Sequence, residues 1–175
     1  ETAWIRVFGI RKKLKIFPTW ERMLGEAIKE LRKKEVSLLA SLSLHSWFNS
    51  LLKDSGFDHS QNILVLEWKG ESYENNRIND EVVIRMMQLT DLSTVEEIDQ
   101  LAFPPLWQNS AAGLTKAFNQ TGISTVAIKN GEIVGYQIST TMTIYGHLAR
   151  LAVHPNHQHQ RIAYTLVNDL LKRFK

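Results

Sequence analysis

The 175-residue chain has no cysteine, which excludes disulfides and thiolate metal sites. It has no apolar run of membrane-spanning length and no visible secretory leader pattern. With the missing cysteines, these absences lead us to expect a soluble, cytoplasmic protein without a membrane partner. Proline is scarce, at four residues, and two of them are adjacent, Pro104-Pro105. Neither sign of charge dominates: 21 basic residues against 18 acidic ones give a net charge of +3. The excess sits in two clusters, Arg11-Lys12-Lys13 with Lys15, and Arg32-Lys33-Lys34. A nucleic-acid surface would use such clusters. The second falls in the last turn of an expected helix, where cations complement the dipole, and the first reads as a solvated loop, so the sequence argues against a nucleic-acid partner.

Periodicity divides the rest. Ala3 to Ile10 alternates as a strand. Pro18 and Thr19 open a helix striped by Trp20, Met23, Leu24, Ala27, Ile28 and Leu31. Val36 to Leu44 is a second strand and Ser46 to Leu52 a short helix, stopped by Gly56 with Phe57 behind it. Ile63 to Trp68 is a third strand, completing a βαβαβ unit over residues 1–70. Trp4, Trp20, Trp47 and Trp68 fall on its expected core faces. Polar residues 71–81 read as a linker, and residues 82–175 as a second block. That block has a strand over Val82–Met87, helices over Leu92–Leu101 and Ser110–Phe118, and a hairpin of Val126–Lys129 and Glu132–Tyr136 turning on Asn130-Gly131. Strands over Thr140–Tyr145 and Leu148–Val153 follow, then a helix striped by Ala163, Leu166, Val167, Leu170, Leu171 and Phe174. The fold class is α/β (α+β), a mixed, mostly antiparallel sheet flanked by helices, with both blocks expected to form one composite domain.

Chemistry concentrates at the junction before the last helix. The apolar strand stops at Pro155, and Asn156 to Arg161 lead into the helix. Free backbone N–H groups and the helix dipole make such an N-terminus an anion site suited to a pyrophosphate. The stretch Gln158-His159-Gln160-Arg161-Ile162-Ala163 resembles the coenzyme-A-binding loop of the GNAT superfamily of N-acetyltransferases, which runs Gln or Arg, two residues, Gly, one residue, then Gly or Ala. Gln158 and Ala163 match, and Arg161 stands in place of the glycine. Residues 82–175 resemble the first two-thirds of a GNAT domain. Residues 36–68 resemble its closing third, and Ala3–Lys34 another central strand and coenzyme helix. The order is thus permuted, a C-terminal half followed by an N-terminal half. Exchange of halves between two copies, giving a homodimer, is the alternative to a composite domain.

The resemblance implies acetyl-CoA as acyl donor, with no metal, and a primary amine of a small molecule or peptide as acceptor. It implies that the backbone amides of Leu151 and Val153 hold the acyl-pantetheine arm and that Gln158 to Ala163 hold the pyrophosphate. It places His147 where some members carry a glutamate base; histidine titrates near neutrality and suits proton abstraction. Strand alternation puts His147 on one face with Ala149, Leu151 and Val153. The position of the family's tyrosine acid is taken by Leu52, which cannot donate. Glu96 and Glu97 lie on the first helix of the block, whose neighbourhood shapes acceptor sites in the family, though a solvated helix face is the simpler reading. Tyr145 reads as ordinary sheet packing, Trp107 as a possible acceptor contact, and His45 as a helix cap or cleft residue. His154, His157 and His159 crowd one loop but match no zinc spacing. Two further functions stay open: a catalytically degenerate fold that binds a ligand or partner, favoured by Arg161 and Leu52, and the basic nucleic-acid module.

Overall fold

The computed structural model describes residues 2–70, 78–142 and 145–174. The chain forms two compact units, Glu1–Trp68 and Lys69–Lys175. Most of the expected linker, residues 71–77, lies outside the described residues.

The first unit runs β1 (Thr2–Ile5), α1 (Ile16–Lys33), β2 (Leu38–Ser41) and α2 (Ser46–Asp54). β1 and β2 pair in parallel, as a strand–helix–strand crossover requires. The strands are shorter than the alternation implied: residues 6–10 and 42–44 are not in a strand. Trp20, Leu51 and Leu52 form the buried core, packed by Phe8, Leu24, Phe48 and Phe57. The Trp20 indole donates to Ser55 Oγ at 2.7 Å, satisfying the polar end of its buried ring. Trp47 and Trp68 are exposed, so Trp20 alone of the four expected core tryptophans is fully buried. Gly56, at φ +84°, ends α2. Its N–H donates to the Lys53 carbonyl and the Phe57 N–H to Leu52, while Phe57 packs into the core that holds Leu52. That double bond with its apolar contact is the Schellman stop.

Ile63–Trp68 is not a strand. Its side chains are exposed, Val65 at 81% and Leu66 at 89%, so the unit is βαβα. The residues have strand character, but a strand exists only where a ladder partner meets it.

The second unit runs β3 (Val83–Met86), α3 (Leu92–Ala102), α4 (Ala111–Asn119), β4 (Ile123–Lys129), β5 (Glu132–Met142), β6 (Tyr145–Val153) and α5 (Ile162–Arg173). Its sheet is antiparallel throughout, in the order β3-β4-β5-β6. Asn130 and Gly131, both at positive φ, close the β4–β5 hairpin as type I′ requires. Thr140 to Met142 continue β5 and Tyr145 opens β6, so the expected separate strand over 140–145 is not formed; residues 143–144 lie outside the description. α3 ends at Ala102, before Pro104-Pro105, because the residue ahead of a proline is driven out of the helical region. Ser110 caps α4 by accepting the Gly113 N–H. Helices cover both faces of the sheet. Val95, Ile98 and Leu114 pack on Val126, Tyr136, Ile138 and Ala152 on one side. Ile162 and Leu166 pack on Ala127, Val134 and Val153 on the other. The fold is mixed α/β, a mostly antiparallel sheet flanked by helices.

Asp91 ties β3 to α3. It is nearly buried and takes a two-pronged bond from Arg85, at 2.6 and 2.9 Å, and the Gln88 N–H at 2.7 Å. The Arg85 bond, helped by the Gln88 amide, holds its carboxyl below the usual range. A carboxylate depressed on folding stabilises the protein at neutral pH, and that contribution is lost as pH falls through the folded-state value, below about 4. Asp91→Asn should therefore lower stability at pH 7 by about 1–3 kcal/mol, and the gap between variant and parent should narrow in denaturation curves taken below about pH 4. A gap that stays constant with pH would contradict this assignment.

Candidate active site at the β6–α5 junction

β6 is the last strand of the four, so one side of its backbone faces away from β5. The His154 N–H donates to the Val134 carbonyl at 2.9 Å. Backbone direction alternates along a strand, so Ala152 also points at β5, while Leu151 and Val153 point outward. The Val153 carbonyl on that outer side accepts from the Gln158 side chain at 3.3 Å.

After β6 comes a tight turn, Pro155–His157, in which His154 Nδ1 accepts the Asn156 N–H at 3.2 Å. His154 and His157 meet edge to face. No group of three histidine or acidic side chains placed to hold a metal occurs among the described residues.

α5 then opens at Ile162. The first N–H to reach a helical acceptor is that of Thr165, bonded to the Arg161 carbonyl at 3.0 Å, which leaves the first-turn amides without an acceptor inside the helix. Arg161 sits at φ +62° and His159 at φ +61°. The backbone shape that glycine would adopt freely is thus present in residues that carry a Cβ, at a cost of about 1–2 kcal/mol each. The loop is braced from one side. Gln160 accepts from Lys129 at 2.8 Å, its carbonyl accepts from the Asn79 side chain at 2.9 Å, and the Asn79 N–H donates to Thr165 Oγ1 at 2.9 Å. Lys129 also pairs with Glu81 at 3.0 Å. Arg161 and His159 are exposed, so their cationic and polar ends lie at the mouth of the helix.

At the other end of β6 the structure departs from simple alternation. Ile138 pairs with Arg150 and Ser139 with Leu148, so Ala149 is an extra residue, a bulge. A bulge shifts the side-chain parity of everything beyond it. Gly146 pairs with Thr141, and a Cβ there would collide with the Phe174 ring, so this position looks toward α5. His147, across from Thr140, lies on the opposite face, with Arg150 and the α3–α4 side. The expectation that it shares a face with Leu151 and Val153 is corrected by the bulge. His147 is exposed. Tyr145 is also exposed, at 69%, and so is not packing within the sheet.

Sequence reasoning missed a buried cluster on the sheet face that His147 shares. Asp99, fully buried on α3, receives Arg150 Nε at 2.7 Å and Nη2 at 2.6 Å, the Tyr136 hydroxyl, and the Asn109 N–H at 2.7 Å. Arg150 also donates to the Trp107 carbonyl at 2.6 Å and lies over the Phe103 ring. Burial, and the Asp99 carboxylate that accepts its proton, push the Tyr136 phenol well above its ordinary value, so it remains a donor. Trp107, half-buried in the turn Pro105–Trp107, is thereby held by its backbone. Glu97 instead lines an open groove of about 440 Å³ with Thr94, Leu101, Glu132 and His154. Glu96 is in reach of Gln100, at 3.4 Å on its own helix. Leu52, in the first unit, is a core residue. His45 stands at the N-cap of α2 without a side-chain capping bond.

The strand–loop–helix geometry sits inside a segment that matches the profile of the acetyltransferase (GNAT) family over residues 92–175. Over those residues, slightly under half of the chain, the sequence is similar to the GNAT acetyltransferase family. Several solved structures are similar to this chain, and one of them reaches a TM-score of 0.50. The ribosomal-protein-S18-alanine N-acetyltransferase from Escherichia coli is 20% identical, with a TM-score of 0.50 over 53% of this chain and 59% of that one. The PaiA N-acetyltransferase from Thermoplasma acidophilum, solved with coenzyme A, is 18% identical, with a TM-score of 0.48 over 53% of this chain and 71% of that one. A GNAT-family acetyltransferase from Brucella melitensis, solved with acetyl-CoA, is 18% identical, with a TM-score of 0.46 over 53% and 68%. The chain therefore spans about three-fifths of the length of the Escherichia coli enzyme. No curated protein matches the sequence. In this chain the GNAT segment is preceded by the βαβα unit.

Since Arg161 occupies a left-handed position, Arg161→Gly should raise the stability of the ligand-free protein by about 1 kcal/mol in chemical denaturation. A fall in stability would mean that the arginine side chain contributes more than its backbone costs.

Proposed function

We propose that the protein is an acetyl-CoA-dependent N-acetyltransferase acting on a primary amine. The observation that carries this reading is the succession of two donor sets in the GNAT-like segment: the outward amides of Leu151 and Val153, and one tight loop later the start of α5, where the first helical bond is that of Thr165 to Arg161. An acyl-pantetheine arm hydrogen-bonds along a strand edge, and a diphosphate sits on a helix N-terminus. Gln158, His159, Gln160, Arg161, Ile162 and Ala163 form the phosphate loop. Arg161 supplies a cation where the family has a flexible residue, and an arginine grips phosphate oxygens by charge-assisted bonds.

When bound, the cofactor supplies an activated acetyl thioester, and the chain's own residues position it and handle the proton. His147 is the base that takes the proton from the acceptor ammonium as its nitrogen attacks. It projects on the face where the turn of Pro105–Trp107 lies under the control of Arg150, so that turn borders the acceptor.

Acetyl-CoA should bind with measurable heat and stabilise the protein in proportion to its excess over Kd. Over a panel of amines, thiol release should appear and should fall by about two orders of magnitude or more in His147→Ala. No binding at millimolar coenzyme rejects the reading; binding without thiol release for any amine leaves a degenerate, ligand-holding fold.

A further inference from the structure

The loop between β1 and α1 carries charge of one sign. From Thr2 to Trp20 the cations are Arg6, Arg11, Lys12, Lys13 and Lys15, and there is no acid, although the whole chain nets only +3. All of these cations are exposed, and none takes part in an ion pair among the described residues. The Leu14 N–H donates to the Arg11 carbonyl at 3.0 Å, a turn that puts Lys12 and Lys13 at its corner. Lys15 stands at the N-cap of α1, so the positive end of the helix dipole lies at the same cluster.

Apolar side chains are interleaved with the cations. Val7 is 87% exposed and Leu14 53%, and Ile16 and Phe17 are exposed next to Lys15. Every residue from Arg11 to Phe17 lies at the surface. The loop is anchored all the same. Phe8 turns inward, edge to face with Trp20 at 5.0 Å and stacked on Phe48 at 6.2 Å, against the core of the first unit. The inward position is filled, and the other apolar groups remain outside among the charges.

A solvated loop accounts for the cations and leaves the apolar groups unexplained. A nucleic acid would take the cations and stack its bases on aromatic rings, but of Leu14, Ile16 and Phe17 only Phe17 is aromatic. The boundary of a bilayer takes both kinds of group. Anionic headgroups attract the cations, and the acyl layer beneath receives the apolar side chains. Either signal alone gives weak, reversible binding, whereas two together hold a protein at the surface. No helix among the described residues is long and apolar enough to cross a membrane, so the contact is with one leaflet.

We propose that the segment Arg11–Phe17, flanked by Arg6 and Val7, docks the protein on an anionic lipid surface. Its cations meet the headgroups, and Leu14, Ile16 and Phe17 enter the boundary of the acyl layer. The proposal rests on the first unit alone and does not depend on the transferase reading.

Co-sedimentation of the whole chain with lipid vesicles tests it. The protein should pellet with phosphatidylcholine vesicles containing about one-quarter phosphatidylserine, and should stay in solution with phosphatidylcholine alone. Binding should fall as salt rises from about 0.1 M to 1 M, where the screening length shrinks from about 10 Å to about 3 Å. Lys12→Glu/Lys13→Glu should weaken binding by about tenfold or more. Leu14→Ser/Phe17→Ser leaves every charge in place and should weaken it by about fivefold or more. All four positions are exposed, so the thermal midpoints of both variants should match the parent. No pelleting with the phosphatidylserine vesicles at low salt overturns the proposal. Full-strength binding by folded Leu14→Ser/Phe17→Ser overturns it as well, since charge alone would then suffice. Salt-dependent retention on a DNA duplex, with none on the vesicles, gives the cluster to nucleic acid instead.

Discussion

One carboxylate governs the geometry of the second unit. Asp99 is completely buried on α3, and a buried charge is tolerated only when it is paired and its lone pairs are filled. Arg150, Tyr136 and the Asn109 amide fill them, and each comes from a different part of the fold. The bonds join the helix layer to β5, to β6 and to the loop that follows α3. Removing any one partner leaves the others buried without compensation, so the four parts hold or loosen together.

Two kinds of backbone geometry meet at Arg150 on β6. Beyond Arg150 the strand is regular, and alternation sets the Leu151 and Val153 amides outward, in line with the open first turn of α5. Before it, the bulge reverses parity and brings His147 to the face of Arg150 and the Pro105–Trp107 turn. The loop between strand and helix bears its own strain, with Arg161 and His159 in left-handed backbone. The bonds from Asn79 and Lys129 to Gln160 hold that conformation in place.

Much of this fold was readable from residues close in sequence. Asn130-Gly131 gave the hairpin and Gly56-Phe57 the end of α2, because turn and stop chemistry is local. Local patterning gave α1 to α5 to within two residues or so. The strand, tight loop and helix around Gln158 to Ala163 form as the sequence implies. Features that depend on distant partners were not readable. Asp99 looks like one more acid on a polar helix, and its partners Tyr136 and Arg150 lie 37 and 51 residues away. The bulge has no residue signature at Ala149, so His147 was assigned the wrong face. Ile63–Trp68 has the composition of a strand and no ladder to join. An Asp in line with Val95, Ala102 and Phe103 on its helix, followed later by a lone Arg in an apolar strand, was the signal available for the buried pair.

In the proposed function, the outer amides of β6 and the first turn of α5 form one continuous cradle for a diphosphate-bearing thioester. Titration of acetyl-CoA into the isotope-labelled protein, followed by amide NMR, tests it most directly. The account predicts that the amides of Leu151, Val153 and Ile162 to Tyr164 shift together and saturate at one ligand concentration, with Ala152 and His154, which face β5, moving little. Shifts confined to other parts of the chain, or none at saturating coenzyme, would contradict it.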